Sequence, residues 1–212
     1  MTKRIILFIS PHTDDAELAC GGMMAKMVEQ GHRVYYSALS ACERSVPDKF
    51  PRDILRKEVR KATAVLGIKA AQLKVYDFEV REFPAQRQEI LETLVGLEKK
   101  LRPDIVVAPS SYDLHQDHKT TRNEALRAFR RSTILGFEMP WDNVSFNTTA
   151  FVPLAEKHIR KKMKALDCYK SQSHRAYLTE DYIRGLARTR GMQINEQYAE
   201  AFEVIRWVMN DV

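Results

Sequence analysis

Two rhythms of apolar and polar positions run along this chain, and the points where one gives way to the other divide it into elements. Ile5–Ser10 is a short β-branched and aliphatic run that reads as a strand. From about Asp15 to Gln30 the apolar positions recur at helical spacing, ending at Gly31, a good helix-stop residue. Arg33–Ser40 predicts a second strand, Asp53–Leu66 a second helix closed by Gly67, and Gln72–Phe78 a third strand. Gln86–Leu101 is helical in pattern and stops at the turn Arg102-Pro103-Asp104. Ile105–Ser110 is apolar enough for a strand covered on both faces, and Asn123–Arg131 follows as a helix. The last third is less regular. Thr133–Glu138 and Thr148–Val152 read as strands, Leu154–Tyr169 as a basic helix, and Tyr198–Val208 as a closing strand or helix.

Strands alternating with amphipathic helices imply an α/β, Rossmann-like fold: a mainly parallel sheet flanked by helices on both faces and joined by right-handed crossovers. With 212 residues the chain can bury a substantial core, and no Ser/Gly-rich linker, repeat or low-complexity segment divides it, so residues 1–212 are expected to form one domain.

Composition narrows the class of partner. Hydrophobic residues at 44% and charged residues at 29% exclude an intrinsically disordered chain. The net charge of +6 is spread over helices and forms no stripe interleaved with aromatics, so no nucleic acid is expected as a partner, although an acidic substrate would be attracted. Cys20, Cys42 and Cys168 are odd in number and far apart, which argues against a disulfide framework or a cysteine zinc site and fits a reducing compartment. Nothing resembles a signal peptide or a run of roughly 20 apolar residues, so a cytoplasmic location without membrane insertion is expected. Trp141 and Trp207 are expected in the core or at an interface, and a homo-oligomer is left open.

Two polar clusters carry the chemistry. Pro11-His12-Thr13-Asp14-Asp15-Ala16-Glu17 lies where the first strand meets its helix; helix capping alone could account for Asp14, Asp15 and Glu17. Asp113-Leu114-His115-Gln116-Asp117-His118 directly follows the fourth strand. If the strand order reverses so that strands one and four are neighbours, both clusters emerge side by side at the end of the sheet where α/β folds bind ligands. Histidines and carboxylates meeting there suit a zinc ion, which in catalytic sites takes three protein ligands and keeps a position for water.

These two motifs resemble those of the LmbE/PIG-L-like N-acetylglucosaminyl deacetylases. Supporting features are Leu66-Gly67 before a strand ending near Asp77, then Tyr169-Lys170-Ser171-Gln172 and Tyr198-Ala199-Glu200-Ala201-Phe202, so the likeness runs through essentially the whole chain. The resemblance implies Zn²⁺ held by His12, Asp15 and His118, with Asp14 as general base. It makes His115 the oxyanion stabiliser or proton donor, oriented by Asp117. The implied reaction is hydrolysis of the N-acetyl group of an N-acetylglucosamine-type amino sugar or glycoconjugate. Removal of a formyl group, a nucleotide-linked or thiol-bearing sugar, and a non-catalytic ligand-binding module are the competing readings. Thr13 stands where many members have Pro or Ala, Asp113 where some have Tyr, and Ala41–Ser45 is less Gly-rich than usual; these departures bear on the substrate more than on the metal.

Arg44 and Arg56 near the loop after the second strand, Asp113, and His174 beside Ser171 and Gln172 are candidates for substrate contact. Gly21-Gly22 does not match Gly-x-Gly-x-x-Gly and reads as close helix packing, while Lys157–Lys164 reads as a solvated helix face.

Overall fold

The computed structural model describes residues 2–209. Its strands are β1 (Ile5–Ser10), β2 (Arg33–Ala38), β3 (Leu73–Val75), β4 (Ile105–Pro109), β5 (Thr133–Phe137), β6 (Ala150–Leu154) and β7 (Tyr198–Arg206). Its helices are α1 (Asp15–Glu29), α2 (Ile54–Leu66), α3 (Arg87–Leu101), α4 (Gln116–Ala128), α5 (Glu156–Leu166) and α6 (Glu180–Met192). The strands form one sheet in the order β3-β2-β1-β4-β5-β7-β6. β1 to β5 pair in parallel, and β7 runs antiparallel to both β5 and β6. This is the α/β architecture expected from the alternating pattern.

β1 pairs with β4 on one side and β2 on the other, so chain direction across the sheet reverses between β1 and β4. Beyond the carboxyl ends of those two strands the outgoing loops diverge and leave a crevice. One apolar layer joins the sheet to α1, α2 and α5 through Phe8, Met24, Val59 and Tyr36, all fully buried. The other joins it to α3 and α4 through Leu7, Ile9, Ile90 and Phe129. Burial at roughly 1.5–3 kcal/mol per large side chain on both faces makes the central strands the rigid floor of that crevice.

Several boundaries differ from expectation. Gly67 ends α2 with φ 93° as expected of a glycine stop. α4, expected over Asn123–Arg131, begins seven residues earlier at Gln116 and ends at Ala128. Its buried face is polar, with Asp117, His118, Thr121 and Glu124 inside, so an apolar periodicity could not reveal its first two turns. β6 lies two residues later than expected, the basic helix is confined to Glu156–Leu166, and α6 carried no expectation. The ambiguous closing segment is a strand.

α1 is broken at Cys20 (φ −139°, ψ 30°), and the break is answered by a buried ion pair. Lys162 Nζ lies 2.8 Å from Glu200 Oε1, each side chain 5% exposed. Lys162 also donates to the Ala19 carbonyl at 3.2 Å, while Glu200 accepts from the amides of Gly22 at 2.9 Å and Met23 at 2.6 Å. Backbone groups freed by the kink thus find charged partners. A Cβ at Gly22 would collide with Leu154, which bears out close packing as the reason for glycine there. Lys162 corrects the view of Lys157–Lys164 as a wholly solvated face.

Candidate metal centre and substrate cleft

The loop from Pro11 to Asp14 follows β1 directly and is held from three sides. Ser10 Oγ donates to the His12 carbonyl and accepts from Ala16 N at 3.1 Å. Ser40 N donates to the Pro11 carbonyl at 2.9 Å. From below, the hydroxyls of Tyr36 and Tyr169 reach the Thr13 carbonyl, and the same hydroxyls meet Glu17 at 2.5 and 2.6 Å. Burial pushes Glu17 up to about 8, so it holds a proton at neutral pH. Glu17 therefore supports the loop from inside and is no helix cap. Asp14, at the N-cap position of α1, makes no side-chain capping bond either.

Two imidazoles and a carboxylate converge at the crevice. His12 Nδ1 lies 3.1 Å from Asp15 Oδ2, His118 Nε2 lies 3.2 Å from the same oxygen, and the two nitrogens are 3.4 Å apart. Each histidine uses its other nitrogen on a buried carboxylate: His12 Nε2 on Asp117 at 2.9 Å and His118 Nδ1 on Asp113 at 2.7 Å. With one nitrogen of each ring held on a carboxylate, the other can turn a lone pair to a cation placed between the two rings and Asp15. The carboxylates around the rings make this a place for positive charge, whether protons or a metal ion. His12 is raised to about 9 and His118 to about 10, because the pull of Asp15 and hydrogen bonds to Asp117 and Asp113 outweigh the desolvation that would lower them.

The donor set fits zinc on size as well as on type. Four-coordinate zinc with bonds of about 2.0–2.1 Å places its ligand atoms roughly 3.3 Å apart. The three observed edges of 3.1, 3.2 and 3.4 Å bracket that value. Other donors lie nearby: the potential ligand atoms of His12, His115 and His118 fall within 4.8 Å of one another, as do those of Asp113, His118 and Asp142. Asp113 is fully buried and engaged with His118 and the His115 amide, which makes it a buttress and not the substrate contact that was expected.

Asp117 and His115 relate differently from the expectation. The Asp117 carboxylate accepts from His12, from Arg81 N at 2.7 Å and from Phe83 N at 3.3 Å, while its own amide donates to His115 Nδ1 at 3.2 Å. Asp117 orients His12 through its side chain and His115 only through its backbone. That amide still fixes the tautomer of His115, because an accepting Nδ1 leaves Nε2 as the protonated nitrogen. Desolvation, helped by His118 and His12, lowers the pKa of His115 and keeps it neutral.

A cleft of about 350 Å³ opens over this cluster and is bordered by Asp14, Asp15, His12, His115 and His118. No side chain among the described residues hydrogen-bonds the Asp14 carboxylate. Burial, then repulsion from Asp15, raises it to about 6 against the opposing pull of His12 and Arg175. The cleft's remaining border includes Arg81, Trp141, Asp142, Gln172, Arg175 and Tyr177. Trp141 is thus part of the cleft and not of the core. His174 is exposed and does not border the cleft, whereas Gln172 and Arg175 on either side of it do. Arg44 is 71% exposed and paired with Glu79 at 3.0 Å. Arg56 is paired with Glu43 and Asp77 and does not border the cleft; it lines a small side pocket of about 80 Å³ that shares Cys42 with the cleft.

Sheet, crevice and cluster together make an α/β frame around a group of histidines and carboxylates suited to a metal ion. A family model described as PIG-L, GlcNAc-PI de-N-acetylase, matches residues 7–129, and the chain belongs to that family. It is similar to the diacetylchitobiose deacetylase of Thermococcus kodakarensis, with 27% identity over 224 aligned positions covering 94% of this chain and 82% of the relative. Among solved structures, N,N'-diacetylchitobiose deacetylase from Pyrococcus horikoshii matches with a TM-score of 0.78 at 23% identity, over 95% of this chain and 84% of that one. The 4-carboxy-2-hydroxymuconate hydratase GalB of Pseudomonas putida KT2440 matches equally well, at 0.78 and 22% identity over 99% of both chains. The fold alone therefore does not choose the reaction, and the site must. No helix among the described residues is long and apolar enough to cross a membrane.

Proposed function

We propose that this chain is a zinc-dependent N-deacetylase acting on an N-acetylglucosamine-type sugar or glycoconjugate. His12, Asp15 and His118 would hold the ion, with Asp117 and Asp113 setting the tautomers of the two histidines. When bound, zinc supplies Lewis-acid chemistry, polarising a carbonyl and bringing the pKa of water toward neutrality. Asp14 takes the proton of the water that attacks the amide carbon, for which a carboxylate beside a ligand and without a side-chain hydrogen bond is well suited. His115, neutral and protonated on Nε2, donates a hydrogen bond to the tetrahedral oxyanion. The carbon–nitrogen bond then breaks as a proton reaches the departing amine, releasing acetate.

The observation that carries this reading is the triangle of donor atoms with edges of 3.1–3.4 Å next to an unengaged carboxylate. The choice of an acetylated amino sugar draws on the family and on the named activity of the Thermococcus relative. The test is product analysis with zinc-loaded protein and a panel of N-acetyl and N-formyl amino sugars. Acetate and free amine are expected in equal amounts. Formate in place of acetate would move the acyl specificity, and no carboxylate from any member would remove the enzyme reading in favour of a binding module.

A further inference from the structure

Asp14 makes no capping bond at the start of α1, and no side chain among the described residues hydrogen-bonds its carboxylate. Its position therefore comes from the two peptides on either side of it. The helix anchors the following peptide, whose Asp14 carbonyl accepts from Leu18 N at 3.0 Å. The preceding peptide is anchored from beneath the loop, where the Thr13 carbonyl accepts from the hydroxyls of Tyr36, at 3.0 Å, and Tyr169. A peptide is planar, so fixing that carbonyl also fixes the Cα from which the Asp14 carboxylate departs. Glu17 meets Tyr36 on one carboxyl oxygen and Tyr169 on the other, which keeps both phenols at the carbonyl.

The two tyrosines come from different parts of the fold. Tyr36 lies in β2, opposite Phe8 of β1, and belongs to the rigid floor. Tyr169 opens the segment that goes on to border the cleft. Gln172 N donates to the Tyr169 carbonyl at 3.0 Å and Arg175 N to the Gln172 carbonyl at 3.0 Å, and both Gln172 and Arg175 border the cleft. Glu58 of α2 clamps the segment between them, accepting from Ser171 N at 2.9 Å and Ser171 Oγ at 2.5 Å. Tyr169, Ser171 and Gln172 are all buried, so this stretch is packed into the interior and shifts only as a piece. Tyr169 itself does not border the cleft, so it acts on the reaction only through the loop.

We infer that Tyr169 is a positioning residue for the base. Its hydroxyl sets the peptide between Thr13 and Asp14, and with it the direction of the Asp14 carboxylate, from the same segment that brings Gln172 and Arg175 to the cleft. That Asp14 is a base rests on the deacetylase reading; that Tyr169 places it rests on the hydrogen bonds alone.

Two readouts test these separately. In crystal structures of the parent and Tyr169→Phe, the Asp14 carboxylate is expected to move by about 0.5–1 Å in the variant, while His12, Asp15 and His118 keep their places. An unmoved Asp14 overturns the proposal, whether or not the protein is an enzyme. The second readout is acetate release by zinc-loaded parent, Tyr169→Phe, Asp14→Asn and the double variant, from whichever N-acetyl amino sugar the parent hydrolyses. Tyr169→Phe is expected to lower kcat about 10–100-fold with KM and zinc content unchanged. In the Asp14→Asn background the hydroxyl has no base to place, so the double variant is expected to match Asp14→Asn within about twofold. Equal losses in both backgrounds, which general loosening would give, overturn the proposal, and so does a change confined to KM. Tyr169→4-aminophenylalanine keeps the ring and a weaker donor; it is expected to fall between Tyr and Phe and carries the same two readouts if the Phe variant does not fold. No acetate from the parent would remove the deacetylase reading and leave the placement of Asp14 to be decided by the structures.

Discussion

The cleft has two walls built on different terms. One comes from the loops after β1 and β4 and presents His12, Asp15, His115 and His118, backed by the buried Asp113 and Asp117, each tied by at least one hydrogen bond inside the chain. The other comes from the segments around 141 and 172–177 and presents Trp141, Asp142, Arg175 and Tyr177, more exposed and with fewer internal partners. The difference separates groups that the chain itself has oriented from groups that it leaves with few partners. Groups that must stand at fixed distances from a cation are buried and oriented by second partners. Asp14 is the exception on the first wall: no side chain among the described residues hydrogen-bonds its carboxylate, and the proposed mechanism uses it as the base.

Removing the base should have the largest effect. Asp14→Asn is expected to lower kcat by about 10²–10⁴-fold while zinc content by elemental analysis stays near one per chain. Loss of metal in that variant would make Asp14 a ligand and blur the distinction between bound and free groups. Asp117→Asn tests the buttress. Because its carboxylate orients His12, zinc affinity should weaken by about 10–100-fold in competition with a chelator, a second-partner effect. Were Asp117 instead to act on His115, kcat would fall at saturating zinc with affinity unchanged. Trp141→Ala should be the mildest, raising KM by a few-fold with zinc affinity unaltered. A loss of metal there would join the two walls into one unit.

Much of the first wall was legible in the sequence because both clusters sit directly after apolar strands, where the parallel pattern already implies converging loops. β1 and β4 are adjacent as that reasoning required. Residue roles inside the clusters were harder to read. Asp117 is two residues from His115, yet its carboxylate turns to His12, 105 positions away, because the start of α4 offers His115 a backbone amide instead. The beginning of α4 was hidden by the polarity of its own buried face. The second wall gave almost no signal. Arg175 stands three residues beyond Gln172 in an irregular segment, and nothing in a single sequence separates an arginine lacking an ion pair from Arg44 and Arg56, which have them. Glu200 stood inside a motif-like stretch but found its use only through the kink at Cys20, a tertiary event without a local pattern.

The most direct measurement is a zinc titration of metal-stripped protein, by equilibrium dialysis, in parallel with His118→Ala. One zinc per chain is expected for the parent, with binding abolished or weakened by orders of magnitude in the variant. A parent that takes up no zinc, or a variant that binds it as tightly as the parent, would contradict the claim that His12, Asp15 and His118 share one ion.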